Sequence, residues 1–564
     1  MEVEEREIIL SNNKALIWFL IILLFILVLP TFALAKESKG LIEDPKLEKL
    51  IRTSLKKSEG DLTKQDLSKL SYLGGASYSG IKNLKGLEYA LNLKELVLNF
   101  NSITDLGPLS GLKQLTKLEL ADNLISDLKP ISQLTNINYL VLKFNYIKDL
   151  SPLKNLINLG RIELENNKIV DISPLSNLVQ IYWLSIGSNN ISSIQNLQNL
   201  SHLSSLYMEN NNVSDISILS NCKNINQLSI GKNPINSIEV LSSFNRLNHL
   251  GMNNVTGIDF SALKSLTYLL FLDLSENNIE DIEWMASLTK VDNLNLSKNR
   301  IKDIHVLKGM FQLFTLDLSE NGISDILSLS TISTLRWIKL DNNAIVDLTP
   351  LSGLKNLNRL SLNDNQIVNV IPLQSILPLS YLSLEYNLIE DISSLKSLIN
   401  LHELILTNNN ISEVNSLVNI NSKIDLRNNP IVGTSILESL KARTLLGIFL
   451  NFKINGYYYS IDPKPQNVNG TILVPIRAIL INFRARVDFD KRTQVVTIQK
   501  DKTIVKLNVR TGDANINGKS YKVKERNQIL NGSTMVPLKF ISEAFGAKID
   551  WDPLNKSINI STIL

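Results

Sequence analysis

The sequence predicts an α/β solenoid, in which stacked strand-and-turn units form a parallel sheet on the concave side and short helical turns on the outside. A small α+β domain is predicted to follow it. Three observations support this architecture. A pattern of leucine, asparagine and aspartate returns every 22 residues over most of the chain. Within each unit, apolar and polar residues alternate at the period of a strand. After the last unit the composition changes, and the remaining segment is internally duplicated.

The repeat is clearest at residues 93–109, where leucine and isoleucine positions surround Asn101. The asparagine slot returns in steps of 22 residues, and only the last step, to Asn429, is shortened to 20. One slot breaks the pattern, because Val255 stands in it and Gly257 replaces the usual isoleucine. Such regular self-similarity is typical of a leucine-rich-repeat solenoid. The predicted asparagine ladder comprises Asn101, Asn123, Asn145, Asn167, Asn189, Asn211, Asn233, Asn277, Asn299, Asn321, Asn343, Asn365, Asn387, Asn409 and Asn429.

Each residue type in the repeat has a physical reason. The two leucines of Leu-x-Leu face one side of a strand, so stacked units share one apolar core. The backbone after the strand leaves N–H and C=O groups unpaired, and a buried asparagine can hydrogen-bond them. An aspartate four residues later, as at Asp105 and Asp127, predicts the N-cap of a short outer helical turn. One carboxylate per unit lacks the clustered oxygen ligands of a calcium site.

The first 35 residues are predicted to be a secretory signal peptide. An apolar run at 15–29 precedes the small-residue sequence Ala33-Leu34-Ala35, which resembles a cleavage site. Four glutamates near the start oppose this prediction, because positive charge is expected there. The alternative is an uncleaved membrane anchor, since residues 15–35 nearly reach spanning length. The expected location is secreted or at the cell envelope.

A solenoid needs a polar-faced cap over its first coil. Helical apolar spacing after Pro45 and a capping box from Thr63 to Asp66 indicate such a cap near the amino terminus. The predicted layout is a signal peptide or anchor at 1–35, a helical cap at 36–80, the solenoid at 81–435, a closing segment at 436–450 and the α+β domain at 451–564.

The residues between the strand leucines, and those just before each asparagine, are predicted to line the concave face. Many are aromatic or acidic, and exposed aromatic rings bury much area on binding at low entropy cost. Arg161, Glu163, Glu165 and Glu209 fall on the same face. Packing on a neighbouring coil explains a single ring as well as binding does, but the whole face favours protein binding. The candidate ligand-binding residues are Phe100, Tyr139, Phe144, Trp183, Tyr207, Phe271, Asp273, Glu276, Asp317, Glu320, Trp337, Tyr381 and Tyr386.

The sequence gives no sign of catalysis, of a metal site or of nucleic-acid binding. The four histidines lack metal-ligand spacing, and only His249 falls on a predicted strand. We find no Gly-rich phosphate loop or nucleophile elbow, and the face carries acid where nucleic acid needs a basic stripe. We therefore expect no catalytic residue, no cofactor and no bound metal. The single cysteine, Cys222, is expected to be a small apolar filler.

The 22-residue unit, Leu-x-x-Leu-x-Leu-x-x-Asn-x-Ile-x-Asp-Leu-x-Pro-Leu, resembles the internalin-type repeats of Gram-positive surface proteins over residues 41–435. The helical segment at 41–70 is similar to the cap of those proteins. The resemblance implies a surface protein that binds other proteins through its concave residues. Those residues vary freely in the family, so the resemblance implies no particular partner.

Residues 451–564 repeat themselves at a spacing of 62. Each half is predicted to form two strands, a helix that begins at a proline, and a hairpin. The motif at 531–547 resembles the bacterial domain called copper amine oxidase N-terminal-like, a small α+β module of exported Firmicute proteins. In the first copy, Arg484 replaces the helix-ending glycine that Gly546 supplies in the second. Matching segments include Ile454-Asn455-Gly456 with Ile516-Asn517-Gly518 and Val474-Pro475 with Val536-Pro537.

The domain's name does not imply copper chemistry here, because residues 451–564 contain no histidine and no cysteine. Their charge is more informative, since 18 lysines and arginines stand against 9 aspartates and glutamates. A basic domain outside a Gram-positive cell can dwell on anionic wall polymers. An inert dimerising or spacer domain explains the composition equally well.

Together these observations predict an exported cell-envelope protein, not an enzyme, that binds a protein ligand on its concave face. The basic domain would aid wall retention or self-association. The alternative is a structural envelope scaffold without a discrete soluble ligand, whose binding would be salt-sensitive. We expect no nucleic-acid partner, and membrane contact only through the N-terminal segment if it stays uncleaved. The sequence shows no carboxyl-terminal sorting motif, so covalent wall attachment is not expected.

Overall fold

The computed structural model describes residues 40–431 and most of 451–561, with gaps at 455–456, 460–465, 469–470, 477–484, 491–492, 501, 524–527, 531–532 and 553–556. The predicted signal peptide, the closing segment at 436–450 and Arg484 lie outside the described residues. The chain divides into two compact units, Met1–Asn212 and Val213–Leu564. Both contain leucine-rich-repeat coils, so the predicted α/β solenoid with a small second domain is confirmed.

The described part of the first unit, from residue 40 onward, starts with the helices α1 (Pro45–Leu55) and α2 (Lys64–Leu67). The N-terminus of α1 is capped by Asp44, whose side chain accepts hydrogen bonds from the N–H groups of Lys46 and Leu47. α2 has the predicted capping box between Thr63 and Asp66. Leu47 and Ile51 of α1 are buried and Leu50 and Leu55 are half-buried, which matches a helix that covers the first coil.

The first unit continues with seven short strands that pair in parallel. Each strand buries its central residue and shows its first and third residues on the other side, as period 2 requires. Leu96 stands opposite Leu118, one 22-residue repeat later. The sheet starts at Tyr72, inside the range predicted as cap. The strands are β1 (Tyr72–Gly74), β2 (Glu95–Val97), β3 (Lys117–Glu119), β4 (Tyr139–Val141), β5 (Arg161–Glu163), β6 (Trp183–Ser185) and β7 (Ser205–Tyr207).

The second unit contains ten further parallel strands of the same kind. Leu316 stands opposite Ile338 in the same 22-residue register. The strands are β8 (Gln227–Ser229), β9 (His249–Gly251), β10 (Phe271–Asp273), β11 (Asn293–Asn295), β12 (Thr315–Asp317), β13 (Trp337–Lys339), β14 (Arg359–Ser361), β15 (Tyr381–Ser383), β16 (Glu403–Ile405) and β17 (Lys423–Asp425).

The outer segments of both units are 3-10 turns. The aspartates that were predicted as N-caps stand one residue before the N-cap position of each turn. The carboxylate of each aspartate accepts the backbone N–H of the residue two positions later in the chain. Asp149 accepts from Ser151 at 2.8 Å, and Asp347 accepts from Thr349 at 2.8 Å. The turns are Leu87–Tyr89, Gly107–Leu109, Lys129–Ile131, Ser151–Leu153, Ser173–Leu175, Gln195–Leu197, Ser217–Asn221, Glu239–Ser243, Phe260–Ser265, Glu283–Ser287, His305–Gly309, Leu327–Thr331, Thr349–Leu351, Ile371–Ser375, Ser393–Ser397 and Asn415–Leu417.

Within each unit, ladder asparagines tie neighbouring coils together. Asn189 is representative, because its buried amide group donates hydrogen bonds to the carbonyls of Leu164, Ile186 and Gly187 at 3.0–3.1 Å. Its side-chain oxygen accepts the N–H of Ile169 from the preceding coil at 3.0 Å. One side chain therefore satisfies four backbone groups that no strand pairing reaches.

The pattern break at Val255 changes this bonding. The N–H of Val255 itself donates to the side-chain oxygen of Asn277 at 2.5 Å. In regular coils the ladder asparagine of the next coil accepts the N–H of the isoleucine two residues after the slot, as Asn299 does from Ile279. Gly257 adopts a left-handed conformation with φ of +80°. The 3-10 turn that follows is capped by Asp259, whose carboxylate accepts the N–H of Ser261. The break therefore removes an asparagine without removing the strand that precedes it.

Cys222 lies just after the turn Ser217–Asn221, where its side chain is fully buried. Burial raises the pKa of its thiol to about 11. A thiol with so high a pKa stays protonated at neutral pH. These observations match the expected role as an apolar filler.

The described residues of the C-terminal domain include the helix α3 (Leu538–Phe545) and three antiparallel or mixed sheets. α3 follows Pro537 and ends at Gly546, whose φ is +66°. The sheets have the strand orders β19-β18-β30-β29, β20-β21-β28-β27 and β22-β23-β24-β25-β26. The strands are β18 (Asn451–Ile454), β19 (Tyr457–Tyr459), β20 (Gln466–Val468), β21 (Thr471–Pro475), β22 (Arg486–Asp490), β23 (Val495–Lys500), β24 (Thr503–Asn508), β25 (Asp513–Ile516), β26 (Lys519–Lys522), β27 (Gln528–Leu530), β28 (Ser533–Pro537), β29 (Lys548–Asp552) and β30 (Ser557–Ser561).

The two halves of the duplication interlock. Each sheet combines strands of both halves, and β21 pairs antiparallel with its own counterpart β28. Val474 stands directly opposite Val536, the residue 62 positions later that repeats it. Val474, Val536, Ile498 and Ile541 belong to the same buried apolar cluster. The core of the domain is therefore built jointly by the two copies.

Candidate protein-binding face

We call the first and third residues of strands β1–β17 the sheet face. The structure places eight of the thirteen candidate binding residues on it. Tyr139, Trp183, Phe271, Trp337 and Tyr381 occupy first positions, and Tyr207, Asp273 and Asp317 occupy third positions. Because equivalent positions lie in register on neighbouring strands, these side chains form rows across the coils of each unit.

The other five candidates lie beyond the strands. Each directly precedes a ladder position and has a left-handed backbone, as do the residues at the same place in other coils. A left-handed conformation costs a residue with a side chain about 1–2 kcal/mol, so the stacking of the coils imposes it, as where the N–H of Phe100 donates to the carbonyl of Ala121 in the next coil. These residues stand at the edge of the sheet and not between the strand leucines. They are Phe100, Phe144, Glu276, Glu320 and Tyr386, with φ values of 54–61°.

Aromatic rings and cations alternate along the sheet face of the first unit. The ring of Tyr139 lies between Lys117, at 5.1 Å, and Arg161, at 5.3 Å. The guanidinium of Arg161 also lies 4.2 Å from the ring of Trp183. The rings of Trp183 and Tyr207 follow at 5.1 Å. Cation–π contacts of this kind are attractive, so neighbouring cations stabilise the arrangement of these half-buried rings.

Ion pairs fix the cations of this row from the third strand positions. Glu163 is 7% exposed and pairs with Lys143 at 2.8 Å and with Arg161 at 2.6 Å. Burial alone would raise the pKa of Glu163, but Lys143 and Arg161 outweigh it and hold the pKa below its usual value. Lys117 pairs in the same way with Glu119 at 2.9 Å.

Two further carboxylates of this region were not among the candidates. Glu165 and Glu209 lie two residues before their ladder asparagines, and the Oε2 atom of each is buried without a hydrogen-bond partner. Burial raises the pKa of Glu165. Burial, and then the charge of Glu209, raises the pKa of Tyr207. Sequence reasoning placed both glutamates on the face, but the repeat gave no sign that they differ from other acidic residues.

The sheet face of the second unit carries a similar arrangement. The guanidinium of Arg359 lies 5.7 Å from the ring of Trp337 and 4.7 Å from that of Tyr381. His249 stacks on Phe271, with ring centroids 4.0 Å apart. Burial lowers the pKa of His249 despite the opposing charge of Asp273. A neutral imidazole on a phenyl ring adds flat apolar area to the face.

The described part of the chain offers no cluster of three or more His, Cys, Asp or Glu residues placed to hold a metal ion. Nor does any helix within the described ranges have the length and apolar character needed to cross a membrane. The acidic residues of the sheet face are spread at the repeat spacing.

Three known protein families match parts of the chain. The family described as Leucine Rich repeats matches residues 91–133, and the one described as Leucine rich repeat matches residues 249–301. The family described as Copper amine oxidase N-terminal domain matches residues 453–560, which contain the duplication. That region lacks the imidazole and thiolate ligands that protein copper sites use, so its residues do not fit a copper site. Comparison with curated proteins gives no match.

Solved structures also resemble the chain. An internalin (inlF) of Listeria monocytogenes is 30% identical in sequence over 64% of this chain and 94% of that one, with a TM-score of 0.44. Internalin C2 of the same organism is 33% identical over 38% of this chain and 94% of that one, with a TM-score of 0.36. A leucine-rich-repeat protein of Leptospira interrogans shares the fold, at 23% identity over 67% of this chain and 95% of that one and a TM-score of 0.52.

Proposed function

Because the chain belongs to the internalin family of leucine-rich-repeat proteins, we propose that it acts outside the cell by binding a protein ligand on its sheet face. The observation that carries this proposal is the row of rings and cations through Tyr139, Arg161, Trp183 and Tyr207. Trp, Tyr and Arg are the residue types that dominate binding energy in protein interfaces. Rings already held by their neighbours lose little entropy when a ligand covers them.

The proposal is one of binding without catalysis. The carboxylates of the sheet face are separated by the repeat, and the best-ordered of them, Glu163, is engaged by two cations. A general acid or base needs a pKa near the working pH and reach to a substrate. Glu163 has its pKa lowered and its oxygens occupied, which suits a supporting role for the aromatic row.

The test compares ring-removal variants on the identified ligand. Extracellular proteins captured by the full chain would be identified, and the Kd of one purified ligand measured. The variants are Trp183→Ala, Tyr207→Ala and Trp337→Ala. We expect the Kd to rise about thirtyfold in each variant that removes a ring covered by the ligand, since a hot-spot ring contributes about 2 kcal/mol. Phe311→Ala is the matched control, because Phe311 is 58% exposed and lies outside the strands. Unchanged affinity in all three variants would contradict the proposal.

The basic C-terminal domain is proposed to hold the exported protein near the cell wall. Its excess of lysine and arginine supports attraction to anionic wall polymers. Retention of the full chain on purified Gram-positive walls should fall about tenfold between low and high salt, because salt screens exposed charges. The triple change Lys502→Glu, Lys506→Glu and Lys519→Glu should reduce retention at low salt.

The matched control for the wall experiment changes three exposed lysines of the repeats, Lys264→Glu, Lys308→Glu and Lys396→Glu. It alters net charge equally but leaves the C-terminal domain intact. If both triple variants lose retention equally, the attraction is a property of the whole chain and not of the domain. If neither does, wall retention by charge is wrong, and the scaffold alternative loses its support as well.

A further inference from the structure

A run of unusual residues precedes four consecutive strands of the second unit. Elsewhere, the third residue before a strand can be an asparagine whose side chain donates a hydrogen bond to a backbone carbonyl of the preceding coil. Asn136 bonds the carbonyl of Lys113 in this way at 2.8 Å, and Asn356 bonds that of Ser333 at 2.9 Å. Before β9, β10, β11 and β12 the same position is held by Arg246, Tyr268, Lys290 and Gln312. These side chains are exposed and form no hydrogen bond within the described residues, so the chain gives up a bond between coils at each position.

We call the three residues before each of strands β9–β13 the strand-start edge, which comprises residues 246–248, 268–270, 290–292, 312–314 and 334–336. Two open depressions lie along this edge. One has a volume of about 720 Å³ and is lined by Asn245, Arg246, Asn248, Tyr268, Leu270 and Lys290. The other has a volume of about 430 Å³, and its lining includes Gln312, Phe314 and Arg336. The long side chains of the edge therefore border space that a ligand can enter.

The cations of the strand-start edge lie against rings and not against carboxylates. The ammonium group of Lys290 is 4.1 Å from the centre of the Tyr268 ring, and the guanidinium of Arg336 is 5.6 Å from the centre of the Phe314 ring. Tyr268 is 56% exposed and Phe314 is 47% exposed, so much of each ring stays open to a ligand. Arg246, Lys290 and Arg336 form no ion pair within the described ranges.

The opposite ends of the same strands differ in this respect. There Lys298 pairs with Glu276 at 3.2 Å, and Lys339 pairs with Asp317 at 3.4 Å. The strand-start edge has one carboxylate, Asp292, against its three cations. Positive charge without an ionic partner is therefore concentrated along one edge of the sheet, where it attracts anionic groups.

We propose that the strand-start edge binds an acidic segment of the protein ligand. Carboxylates of the segment would pair with Arg246, Lys290 and Arg336, and a guanidinium can bind a carboxylate through two parallel hydrogen bonds. Apolar side chains between the carboxylates would cover the rings of Tyr268 and Phe314. This inference rests on the proposed function and specifies the chemistry of the partner.

The spacing of the cations specifies the segment further. Arg246 and Lys290 are two coils apart, as are Lys290 and Arg336. Two coils cover about 10 Å at the usual distance between neighbouring strands. An extended peptide covers about the same distance in three residues. A segment with an acidic residue at every third position therefore matches the edge.

A polypeptide suits the strand-start edge better than a charged glycan does. Leu270 is 44% exposed and lines the same depression as Arg246 and Lys290. A peptide can bring an apolar side chain between two acidic ones and so bury this surface, which is favourable in proportion to the apolar area covered. A charged glycan would match the cations but offers little apolar surface to Leu270.

The test measures binding of a fluorescent peptide, Glu-Leu-Ser-Glu-Leu-Ser-Glu with an amidated end, to the full chain at low salt. We expect Arg246→Ala, Lys290→Ala and Arg336→Ala each to raise the Kd about fivefold, since an exposed ion pair contributes up to about 1 kcal/mol. Lys264→Ala and Lys308→Ala are the matched controls, because each removes one exposed cation from an outer turn of the same unit. The same peptide with glutamine in place of glutamate should bind much more weakly.

Two results would show that the attraction lies elsewhere. If the two control variants raise the Kd as much as the edge variants do, the attraction is diffuse and the inference is wrong. The triple change Lys502→Glu, Lys506→Glu and Lys519→Glu tests the basic C-terminal domain as a competing site. If it removes binding while the edge variants leave the Kd unchanged, the peptide binds that domain and the inference is again wrong.

An asparagine variant separates recognition from folding. Lys290→Asn introduces the residue type that bonds the preceding coil at Asn136 and Asn356. It should therefore weaken the peptide about fivefold while the Tm stays the same or rises, which is the usual relation between a binding residue and stability. Lys290→Arg should keep both the affinity and the Tm. A lower Tm for Lys290→Asn would show that the lysine supports the coil and is not retained for a ligand.

The identified protein ligand separates this inference from the proposed function. If it loses affinity with Trp183→Ala but keeps it with the Arg246→Ala and Lys290→Ala double variant, the inference is wrong while the proposed function stands. If the double variant weakens the ligand and the three ring variants do not, the inference stands and the proposed function of the ring row is wrong. Dextran sulfate is the last probe. If the double variant loses dextran sulfate, and the parent chain does not bind the peptide, the edge takes a charged glycan and the inference is overturned.

Discussion

Asn189→Ala is expected to destabilise the repeats by about 3–4 kcal/mol, because it leaves four backbone groups without partners. The amide of Asn189 donates to three carbonyls and its oxygen accepts the N–H of Ile169, all at 3.0–3.1 Å. The residue is 8% exposed, so water cannot replace these bonds. Urea unfolding of the full chain, followed by tryptophan fluorescence, should show a lower transition midpoint with a similar slope.

The neighbouring asparagine provides the control. Asn190 is exposed, and its backbone N–H donates to the carbonyl of Ile169 whatever its side chain is. Asn190→Ala should therefore change the free energy of unfolding by less than about 0.5 kcal/mol. Equal effects of the two substitutions would mean that helical or turn propensity, and not the ladder bonds, determines the need for asparagine.

Asp44→Ala is expected to cost about 3 kcal/mol and to loosen the amino-terminal cap. One oxygen of Asp44 caps α1, and the other accepts the N–H groups of Lys82 at 2.7 Å and Asn83 at 3.2 Å. An N-cap contributes about 1 kcal/mol, and the two partly buried N–H groups at 82 and 83 would add about 1 kcal/mol each when left unpaired. Thermal unfolding of the parent and variant chains measures the difference.

The pH dependence of this effect has a defined sign. Burial tends to raise the pKa of Asp44, but its four backbone donors outweigh burial and lower the pKa from 3.8. The stabilisation is therefore complete above pH 3.8 and is lost as the pH falls through the lower pKa of the folded state. The stability difference between parent and Asp44→Ala should be constant near neutral pH and shrink in acid. A difference that grew in acid would contradict the assignment.

Two substitutions calibrate the Asp44 experiment. Asp44→Asn keeps an oxygen for the cap of α1 but brings an amide to the N–H groups of Lys82 and Asn83. The variant should therefore lose roughly half of the stabilisation that Asp44 provides, and the stabilisation that remains should not depend on pH. Asp61→Ala, at an exposed site, should stay within about 0.5 kcal/mol of the parent. An equal loss for Asp61→Ala would show that the overall charge of the cap matters more than its bonds.

The repeat predicted most of the solenoid because each coil obeys the same local rules. Leu118 and Leu120 alternate with Lys117 and Glu119, which places the strand, and Asp127 starts the outer turn. The left-handed residue before each asparagine was not predictable, because Phe100, Glu276 and Tyr386 have no common preference for that conformation. The stacking of neighbouring coils imposes it, and stacking is absent from any one repeat.

The candidate site was predicted only in part. Rings such as Trp183 and Tyr207 were identified because aromatic residues at strand positions stand out in the sequence. Glu165 and Glu209 were not, because the burial of their carboxylate oxygens depends on the neighbouring coils and not on the residue type.

The pairing of Val474 with Val536 has a consequence for the ancestry of the C-terminal domain. Equivalent residues that meet across a twofold relation are the hallmark of an isologous interface between identical subunits. A single ancestral copy, lacking the strands that its partner now supplies to all three sheets, would have needed a second molecule to close its core. Neither half of the present domain closes its sheets alone, so a change at Val474 or Val536 should disturb the core of both halves.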